Sequence, residues 1–402
     1  MDSISQQRIQ VTFDYPVLFT DGLFQPDNPT LRQILARTTD VDGPGQVLFI
    51  IDSGVHDAHP GLAAAIDGYT AAHAAAVQLA ARPLVITGGE ASKNDPAVLH
   101  QVHQAIHDAR LCRHSYVAAI GGGAVLDVVG YAAATAHRGI RLIRIPTTVL
   151  AQDDSAVGVK NGVNAFGKKN FLGTFAPPFA VINDVGFLAT LSDRDWRSGI
   201  SEAIKVAIVR DPSFFAAIEA DAAKLVARDA AAMERLIRRS AALHLAHISS
   251  GGDPFELGSS RPLDFGHWAA HKLEQSTDYR LRHGEAVAVG MALDSAYAHV
   301  QGFLPERDLR RVLDLLVAVG FELLPPELAQ TLSEPAPGSS VLDGLEEFRE
   351  HLGGTLTIML IRGLGEPFDV HEIDRNAMMR SIEVLARAQD AARAASAARR
   401  AS

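Results

Sequence analysis

Short apolar runs alternate with helical patterns through the first half of the chain, and this alternation constrains the fold more than any other feature. Buried-strand candidates occupy residues 47–51, 84–86, 116–120, 142–145 and 180–182. Helical spacing lies between them, for example over residues 124–136. Strands separated by helices favour a parallel sheet that is covered on both faces. We therefore predict an N-terminal α/β domain over residues 1–194.

Polar or glycine-rich residues follow these strands directly. Asp52 comes just after the first strand, and Gly121-Gly-Gly123 closes the third strand and opens a helix. The carboxyl edge of such a sheet is where ligands bind, and amides at a helix N-terminus suit a diphosphate. Two alternatives remain open, because the glycine turn could serve packing alone and Asp52 could cap the next helix instead of binding ribose hydroxyls.

Residues 151–173 read as a long polar loop. Lysines and asparagines are interleaved there with glycine, among them Lys160, Lys168, Lys169, Asn164 and Asn170. Such a segment is either a solvated loop or an anion cradle. Its length without secondary structure favours a function.

The second half of the chain changes to long alanine- and leucine-rich helices. Examples are residues 214–227, 230–248, 267–275, 285–301 and 306–319. We predict an all-helical domain over residues 195–385, with one short strand at residues 356–361. Residues 386–402 are a low-complexity Ala/Arg tail, either a frayed helix or disorder, to which we assign no function.

Three histidines and one acid in this half suggest a metal site. His267 and His271 lie four residues apart on one helix face, His283 follows sixteen residues after His267, and Glu202 and Lys205 share another helix. Two imidazoles and one carboxylate suit a zinc-type site with a position left open for substrate. A helical histidine pair with satisfied hydrogen bonds is the alternative.

Composition excludes several classes of protein. The net charge of −10 argues against nucleic acid as a partner, and the single Cys112 allows no intrachain disulfide. No apolar run approaches the roughly 18 residues of a membrane span, and the N-terminus shows no signal-peptide pattern. We therefore expect a cytoplasmic location, without membrane or nucleic-acid partners.

Several short blocks together resemble the 3-dehydroquinate synthases and the wider sugar phosphate cyclases. The resemblance runs from about residue 52 to residue 365, and its blocks occur in the family's order. They are Gly88-Gly-Glu-Ala-Ser-Lys93, Ile120-Gly-Gly-Gly-Ala-Val-Leu-Asp127, Arg138-Gly-Ile140, Ile145-Pro-Thr-Thr148, Asp154-Ser-Ala-Val-Gly-Val-Lys160, Gly167-Lys-Lys-Asn170 and Ser201-Glu-Ala-Ile-Lys205.

The resemblance implies a dehydroquinate synthase-like fold, with an N-terminal Rossmann-like NAD domain and a C-terminal all-helical metal-binding domain. It implies NAD and Zn²⁺ or Co²⁺ as cofactors, and a homodimer in which Arg138 lies near the neighbouring active site. By motif position the metal ligands are Glu202, His267 and His283. The implied NAD-site residues are Asp52, Glu90, Lys93, Gly122, Gly123, Asp127, Thr147, Thr148, Lys169 and Thr190.

The same resemblance implies a cyclisation. NAD oxidises a metal-bound hydroxyl transiently, phosphate is eliminated, the hydride returns, and an intramolecular aldol reaction closes a carbocycle. The implied catalytic residues are Lys160, Lys205, His271 and Asp154. The implied substrate-binding residues are Arg138, Lys160, Asn170, Lys205, Asp264 and His271. His271 either transfers a proton or supports the metal ligands.

The chain departs from true dehydroquinate synthases where these bind the substrate carboxylate. Ser260, Asp264 and His247 occupy the positions of an Arg, an Asn and a Lys, although Arg261 could restore a positive charge. Like charges about 4 Å apart repel by roughly 4 kcal/mol at an effective dielectric near 20. We therefore predict a phosphate substrate without that carboxylate, namely sedoheptulose 7-phosphate, which would close to a C7 cyclitol such as 2-epi-valiolone. The alternatives are a 3-dehydroquinate synthase with an altered pocket and a metal- and NAD-dependent alcohol or glycerol dehydrogenase.

Overall fold

The computed structural model describes residues 6–38, 43–250, 255, 262–333, 340–351 and 354–401. Its strands are β1 Val17–Thr20, β2 Gly45–Asp52, β3 Val77–Leu79, β4 Leu84–Ile86, β5 Tyr116–Gly121, β6 Arg141–Pro146, β7 Lys160–Ala165, β8 Lys168–Phe175, β9 Ala180–Asp184, β10 Ile358–Ile361 and β11 Pro367–Val370. Its helices are α1 Thr30–Leu35, α2 Ser53–Ala58, α3 Leu62–Ala72, α4 Ala91–Asn94, α5 Pro96–Asp108, α6 Gly123–Thr135, α7 Asp193–Ser198, α8 Ile200–Arg210, α9 Pro212–Val226, α10 Ala230–Ser250, α11 His267–Ser276, α12 His283–Val300, α13 Glu306–Ala318, α14 Pro326–Gln330, α15 Gly344–His351 and α16 Arg375–Ala401. The chain divides into two compact units, residues 1–146 with 159–184, and residues 147–158 with 185–402.

The first unit contains the predicted parallel sheet. Its strand order is β1-β9-β6-β5-β2, with β3 and β4 both pairing with β2, and every one of these pairs is parallel. The central strands are apolar and fully buried, which is what a sheet covered on both faces requires. All five predicted strands are present as β2, β4, β5, β6 and β9. The short strands β1 and β3 were not predicted.

The prediction of a structureless loop over residues 151–173 is wrong. The backbone forms a π-helical turn at Ala151–Ser155 and then the antiparallel hairpin β7–β8, in which Val163 faces Leu172. Phe166 and Gly167 make the turn with positive φ angles of 54° and 72°. Most of β8 is exposed, so its lysines and asparagines resemble loop composition although the backbone is a strand.

The second unit is built from α7–α16 and one small antiparallel hairpin, β10–β11. The five predicted helices correspond to α9, α10, α11, α12 and α13. Helix α12 is buried over nearly its whole length and packs against α8, α11, α13 and α16. Helix α16 continues to Ala401, so the predicted tail is helical as far as the structure describes it. Among the described residues, no helix combines the length and apolar content that a bilayer crossing requires.

Gly199 explains why residues 147–158 belong to the helical unit. It lies directly before α8, and a Cβ added there would sit 2.3 Å from Leu150 N and 2.5 Å from Val149 Cγ1. The backbone of this segment therefore lies against the N-terminus of α8 at a distance that only glycine permits.

We predict that Gly199→Ala lowers the free energy of unfolding by about 1–3 kcal/mol, because the new methyl group overlaps backbone atoms. Gly68→Ala is the matched control. Gly68 lies on an exposed face of α3 with open space around its Cα, so alanine there should stabilise the helix by about 0.5–1 kcal/mol. Urea unfolding followed by circular dichroism measures both effects. Equal stability of Gly199→Ala and the unsubstituted chain would contradict the close approach.

Candidate metal and cofactor site

Helix α8 carries a buried ion pair. Glu202 and Lys205 lie three residues apart, 0% and 2% exposed, with 2.5 Å between Lys205 Nζ and Glu202 Oε2. Burial alone would raise the pKa of Glu202, but the adjacent ammonium together with His283 and His267 outweighs it and lowers that pKa to about 2. Burial opposes the charge of Lys205 in the same way, and Glu202 with Asp154 raises the pKa of that ammonium above its usual value. Both groups are therefore charged at neutral pH.

Two imidazoles converge on the same carboxylate. His267 begins α11 and His283 begins α12, and their Nε2 atoms lie 3.8 Å and 3.4 Å from Glu202 Oε1. One ligand atom from each of the three residues lies within 4.8 Å of the others. Burial, and then the charge of Lys205, lower the pKa of His267 to about 4, so this imidazole is neutral and able to bind a metal at pH 7.

The other ring nitrogens of the two imidazoles are already engaged. Nδ1 of His283 lies 3.1 Å from Glu274 Oε2, and Nδ1 of His267 lies 3.3 Å from the Phe265 carbonyl oxygen. These contacts place the proton on Nδ1 and leave the Nε2 lone pair facing Glu202. A tetrahedral ion with bonds of about 2.0–2.1 Å separates its ligand atoms by about 3.3 Å. The observed separations and donor types therefore fit a divalent metal with one position left for substrate.

We predict that Glu274→Gln weakens binding of Zn²⁺ or Co²⁺ by about 10–100-fold, because the amide no longer fixes the His283 tautomer. Competition against a chromophoric chelator measures the dissociation constant. Glu347→Gln is the control, since Glu347 pairs with Lys272 on the same helix α11 at 2.6 Å and touches none of the three ligands. An unchanged constant for Glu274→Gln would show that this contact does not orient His283.

Two adjacent acids in the π-helical turn Ala151–Ser155 differ in their electrostatics. Asp154 Oδ1 lies 2.7 Å from His244 Nδ1, and Lys205 and His244 lower its pKa although burial opposes them. Asp153 is 0% exposed, and neither of its side-chain oxygens has a hydrogen-bond partner among the described residues. Burial, followed by the charges of Asp154 and Glu202, raises the pKa of Asp153 well above its usual value. Asp154 is thus the anion of this pair.

This difference predicts a pH dependence of stability in the metal-free protein. The folded-state pKa of Asp153 lies above the unfolded value of about 3.9, so its contribution is complete below that pH and is lost as the pH rises. Asp153→Asn should match the unsubstituted chain near pH 4 and become the more stable of the two toward pH 8. Thermal unfolding in the presence of a chelator, measured at several pH values, tests this. Parallel pH profiles would contradict a raised pKa.

The remaining predicted residues of the helical unit lie around the three ligands or in nearby turns. The ring centroid of His271 is 5.6 Å from that of His267 and 6.4 Å from that of His283. Asp264 ends the short turn Pro262–Asp264, which packs against α8, and its charge raises the pKa values of both Lys205 and His267. Of the three predicted threonines, Thr147 is buried, while Thr148 Oγ1 accepts a hydrogen bond from Ala151 N and Thr190 Oγ1 donates one to Phe187 O.

In the α/β unit, Asp52 lies at the carboxyl edge of the sheet. Its side chain accepts a hydrogen bond from Gly54 N at 2.8 Å and so caps α2, which was one of the two alternatives. Burial raises the pKa of Asp52, and backbone N–H groups including that of Gly122 oppose the rise. A Cβ on Gly88 would lie 2.0 Å from Asp52 Oδ1. Gly122 and Gly123 form the predicted turn from β5 into α6.

A second group in this unit joins the Gly-Glu-x-x-Lys segment to the β7–β8 hairpin. Lys93 is buried, and its Nζ lies 2.6 Å from Asp127 Oδ2 and also contacts Asn170 Oδ1. Asn164 donates a hydrogen bond of 2.9 Å to Glu90. The hairpin is thereby tied to helices α4 and α6. Three further predicted residues lie nearer the surface, namely the exposed Lys160 and Arg138 and the half-buried Lys169.

Arg138 occupies a strained turn. Its φ is 63°, that of His137 is 51°, and both side chains line an open surface cavity together with Arg113. The predicted place of Arg138 near a neighbouring subunit stays a prediction. Ser260 and Arg261, on which the carboxylate argument also depends, lie outside the described residues.

Sequence analysis missed three residues that organise the site: His244, Glu274 and Asp294. Glu274 lies seven residues after His267, a spacing that returns to the same helix face and could have identified it. Asp294 is a lone acid deep in the apolar helix α12, and burial raises its pKa to about 7. His244 carries no comparable signal, because its contact with Asp154 depends on tertiary packing.

Comparisons with known proteins agree with these features. The family descriptions 3-dehydroquinate synthase N-terminal and 3-dehydroquinate synthase C-terminal match residues 83–198 and 199–334. A 3-dehydroquinate synthase from Halorhodospira halophila is 37% identical over 66% of this chain and 73% of its own.

Solved structures give the same family. A 2-epi-5-epi-valiolone synthase from Streptomyces hygroscopicus, solved with NAD⁺ and Zn²⁺, is 30% identical with a TM-score of 0.83, over 95% of this chain and 99% of its own. A 2-deoxy-scyllo-inosose synthase with carbaglucose-6-phosphate, NAD⁺ and Co²⁺ shares the fold at 23% identity and a TM-score of 0.70, over 91% and 95% of the two chains. The chain therefore belongs to the 3-dehydroquinate synthase-like family of sugar phosphate cyclases.

Proposed function

We propose that the chain converts a seven-carbon ketose phosphate, sedoheptulose 7-phosphate, to a C7 cyclitol of the valiolone type with release of phosphate. The observation that carries this proposal is an acid, Asp264, in the short turn that packs against α8 and lies just before His267, where the family resemblance implies that dehydroquinate synthases have an asparagine. A carboxylate there repels a substrate carboxylate but accepts a hydrogen bond from a substrate hydroxyl. Membership of the cyclase family and three residues that could hold a divalent metal also support the proposal.

The two units hold different cofactors in this proposal. Residues 1–146 with 159–184 bind NAD⁺ at the carboxyl edge of the sheet, near Asp52, Gly122, Gly123 and the ion pair of Lys93 and Asp127. Residues 147–158 with 185–402 bind Zn²⁺ or Co²⁺ through Glu202, His267 and His283. When bound, NAD⁺ supplies a reversible hydride acceptor and the ion supplies a Lewis acid that acidifies a hydroxyl group.

The chain's own side chains then bind and orient the substrate. Lys160 and Asn170 supply a cation and an amide to the phosphate, whose departure needs charge neutralisation more than a protein base. Lys205 donates hydrogen bonds to substrate oxygens while it stays charged. Asp154 is an anion that contacts His244, and it accepts a hydrogen bond from a substrate hydroxyl. His271 lies one helical turn from the metal ligand His267 and transfers a proton.

A homodimer completes the proposal. Arg138 is exposed, and its left-handed backbone holds the guanidinium out from the turn after α6. A positive side chain presented in this way suits the phosphate bound by a second copy of the chain. Light scattering of the purified protein gives the oligomeric state directly, and a monomer would contradict this part of the proposal.

One second candidate has support of its own. The curated relatives that match at 33–40% identity are named 3-dehydroquinate synthase. The same reaction type on a seven-carbon keto-acid phosphate therefore competes with the proposed substrate, and only the chemistry of the carboxylate pocket separates the two.

Phosphate release with NAD⁺ and Co²⁺ tests the proposal on both substrates. We expect turnover of sedoheptulose 7-phosphate without net NADH, and little turnover of the keto-acid phosphate. Asp264→Asn removes the repulsion and should shift the ratio of kcat/KM values toward the keto acid by at least about tenfold, since 1.4 kcal/mol already corresponds to a factor of ten. Asp264→Glu keeps the charge and is the matched control.

Three outcomes would contradict the proposal. Preference of the unsubstituted chain for the keto acid would make it a 3-dehydroquinate synthase. Stoichiometric NADH without phosphate release would make it a dehydrogenase. An unchanged substrate ratio in Asp264→Asn would show that Asp264 does not select the substrate.

A further inference from the structure

Asp294 on α12 accepts a hydrogen bond from each of the two residues that flank His267, a proposed metal ligand. Asp294 Oδ2 accepts a hydrogen bond of 2.9 Å from Gly266 N, and its Oδ1 accepts one of 2.8 Å from Trp268 Nε1. His267 lies between these two donors in sequence. Asp294 is 0% exposed and Trp268 is 2% exposed, so neither hydrogen bond competes with water.

The backbone reinforces the same contact. Gly266 has a φ of 80°, and a Cβ added to it would lie 2.5 Å from Met291 N. A Cβ on Gly290 would lie 1.9 Å from Gly266 O. The backbone at the start of α11 therefore lies against the backbone of α12, at a distance that only glycine at positions 266 and 290 allows. This contact is one helical turn from Asp294.

This arrangement fixes a distance that metal binding needs. His267 is the first residue of α11 and His283 is the first residue of α12, so the relative position of the two helices sets the separation of their imidazoles. The N-cap of α11 makes no side-chain hydrogen bond of its own. The carboxyl group from α12 supplies the acceptor instead.

We propose that Asp294 is a positioning residue that holds His267 in register with His283 by bracketing it through Gly266 and Trp268. The inference rests on the metal site of the proposed function and deepens it. Asp294 touches neither the metal ligands nor the substrate, and its effect passes through the two donors. Without such a role, a polar group in the core of an apolar helix bundle would destabilise the fold, because its desolvation costs free energy and its packing offers no gain.

Three variants test the bracket: Asp294→Asn, Trp268→Phe and the two together. Asparagine keeps the shape but can accept only one of the two hydrogen bonds, and phenylalanine removes the indole donor while keeping an aromatic ring. The measurement is the dissociation constant of Co²⁺ by chelator competition, with the visible spectrum of the bound ion, well below the unfolding temperature of each variant. We expect weakening of about 10–100-fold for Asp294→Asn and a shifted cobalt spectrum. The double variant should lose less than the product of the two single effects.

Ile218→Ala is the matched control. Ile218 is buried on α9, a helix of the same unit that carries none of the ligands, so this variant loses stability through a cavity. A positioning role predicts unchanged cobalt affinity in Ile218→Ala at an equal drop in unfolding temperature. A merely structural role of Asp294 predicts equal affinity losses in both, and that result would overturn the inference.

The remaining outcomes are also decisive. Cobalt binding by Asp294→Asn and Trp268→Phe with the unsubstituted constant and spectrum would overturn the bracket but leave the proposed function standing. Failure of the unsubstituted chain to bind cobalt would refute the metal site and the inference together. Trp268→Phe keeps the test available if Asp294→Asn does not fold.

Discussion

The buried ion pair of Glu202 and Lys205 is the interaction on which the helical unit depends. Both groups are almost fully withdrawn from water, and their desolvation is offset only by a 2.5 Å contact and by the polar groups around them. A carboxylate that stays ionised in such a place is a strong ligand for a cation. Burial, and then the charge of Lys205, makes the neighbouring His267 imidazole harder to protonate, which keeps its lone pair available. One electrostatic arrangement thus prepares two of the three proposed ligands.

Helix packing converts this electrostatic arrangement into a geometry. Helices α8, α11 and α12 each deliver one ligand, and two of the ligands lie at the first residue of their helix. A residue at a helix start is only as well placed as the helix itself, so contacts that set helix register matter as much as contacts to the rings. Gly199, Gly266 and Gly290 allow backbones to approach within distances that any side chain would prevent. Rigid elements rather than loops therefore position this site.

The sequence predicted most of this arrangement for identifiable physical reasons. Buried parallel strands read as continuous apolar runs, and long helices carry strong periodicity, so the five main strands and five helices were predictable. The β7–β8 hairpin was not, because an exposed strand rich in lysine and asparagine has loop composition. His267 and His283 stood out by residue type, and Glu202 by its motif. Partners such as His244 were hidden, since a contact between α10 and the π-helical turn Ala151–Ser155 leaves no periodic trace in the sequence.

The most direct test of the proposed metal site is X-ray absorption of the cobalt-loaded protein at the cobalt edge. We predict one ion per chain, bound by two imidazole nitrogens and one carboxylate oxygen. His267→Ala and His283→Ala should each lose one of the two imidazoles. A shell without imidazole scattering, or one that is unchanged in those two variants, would place the metal elsewhere and contradict the account.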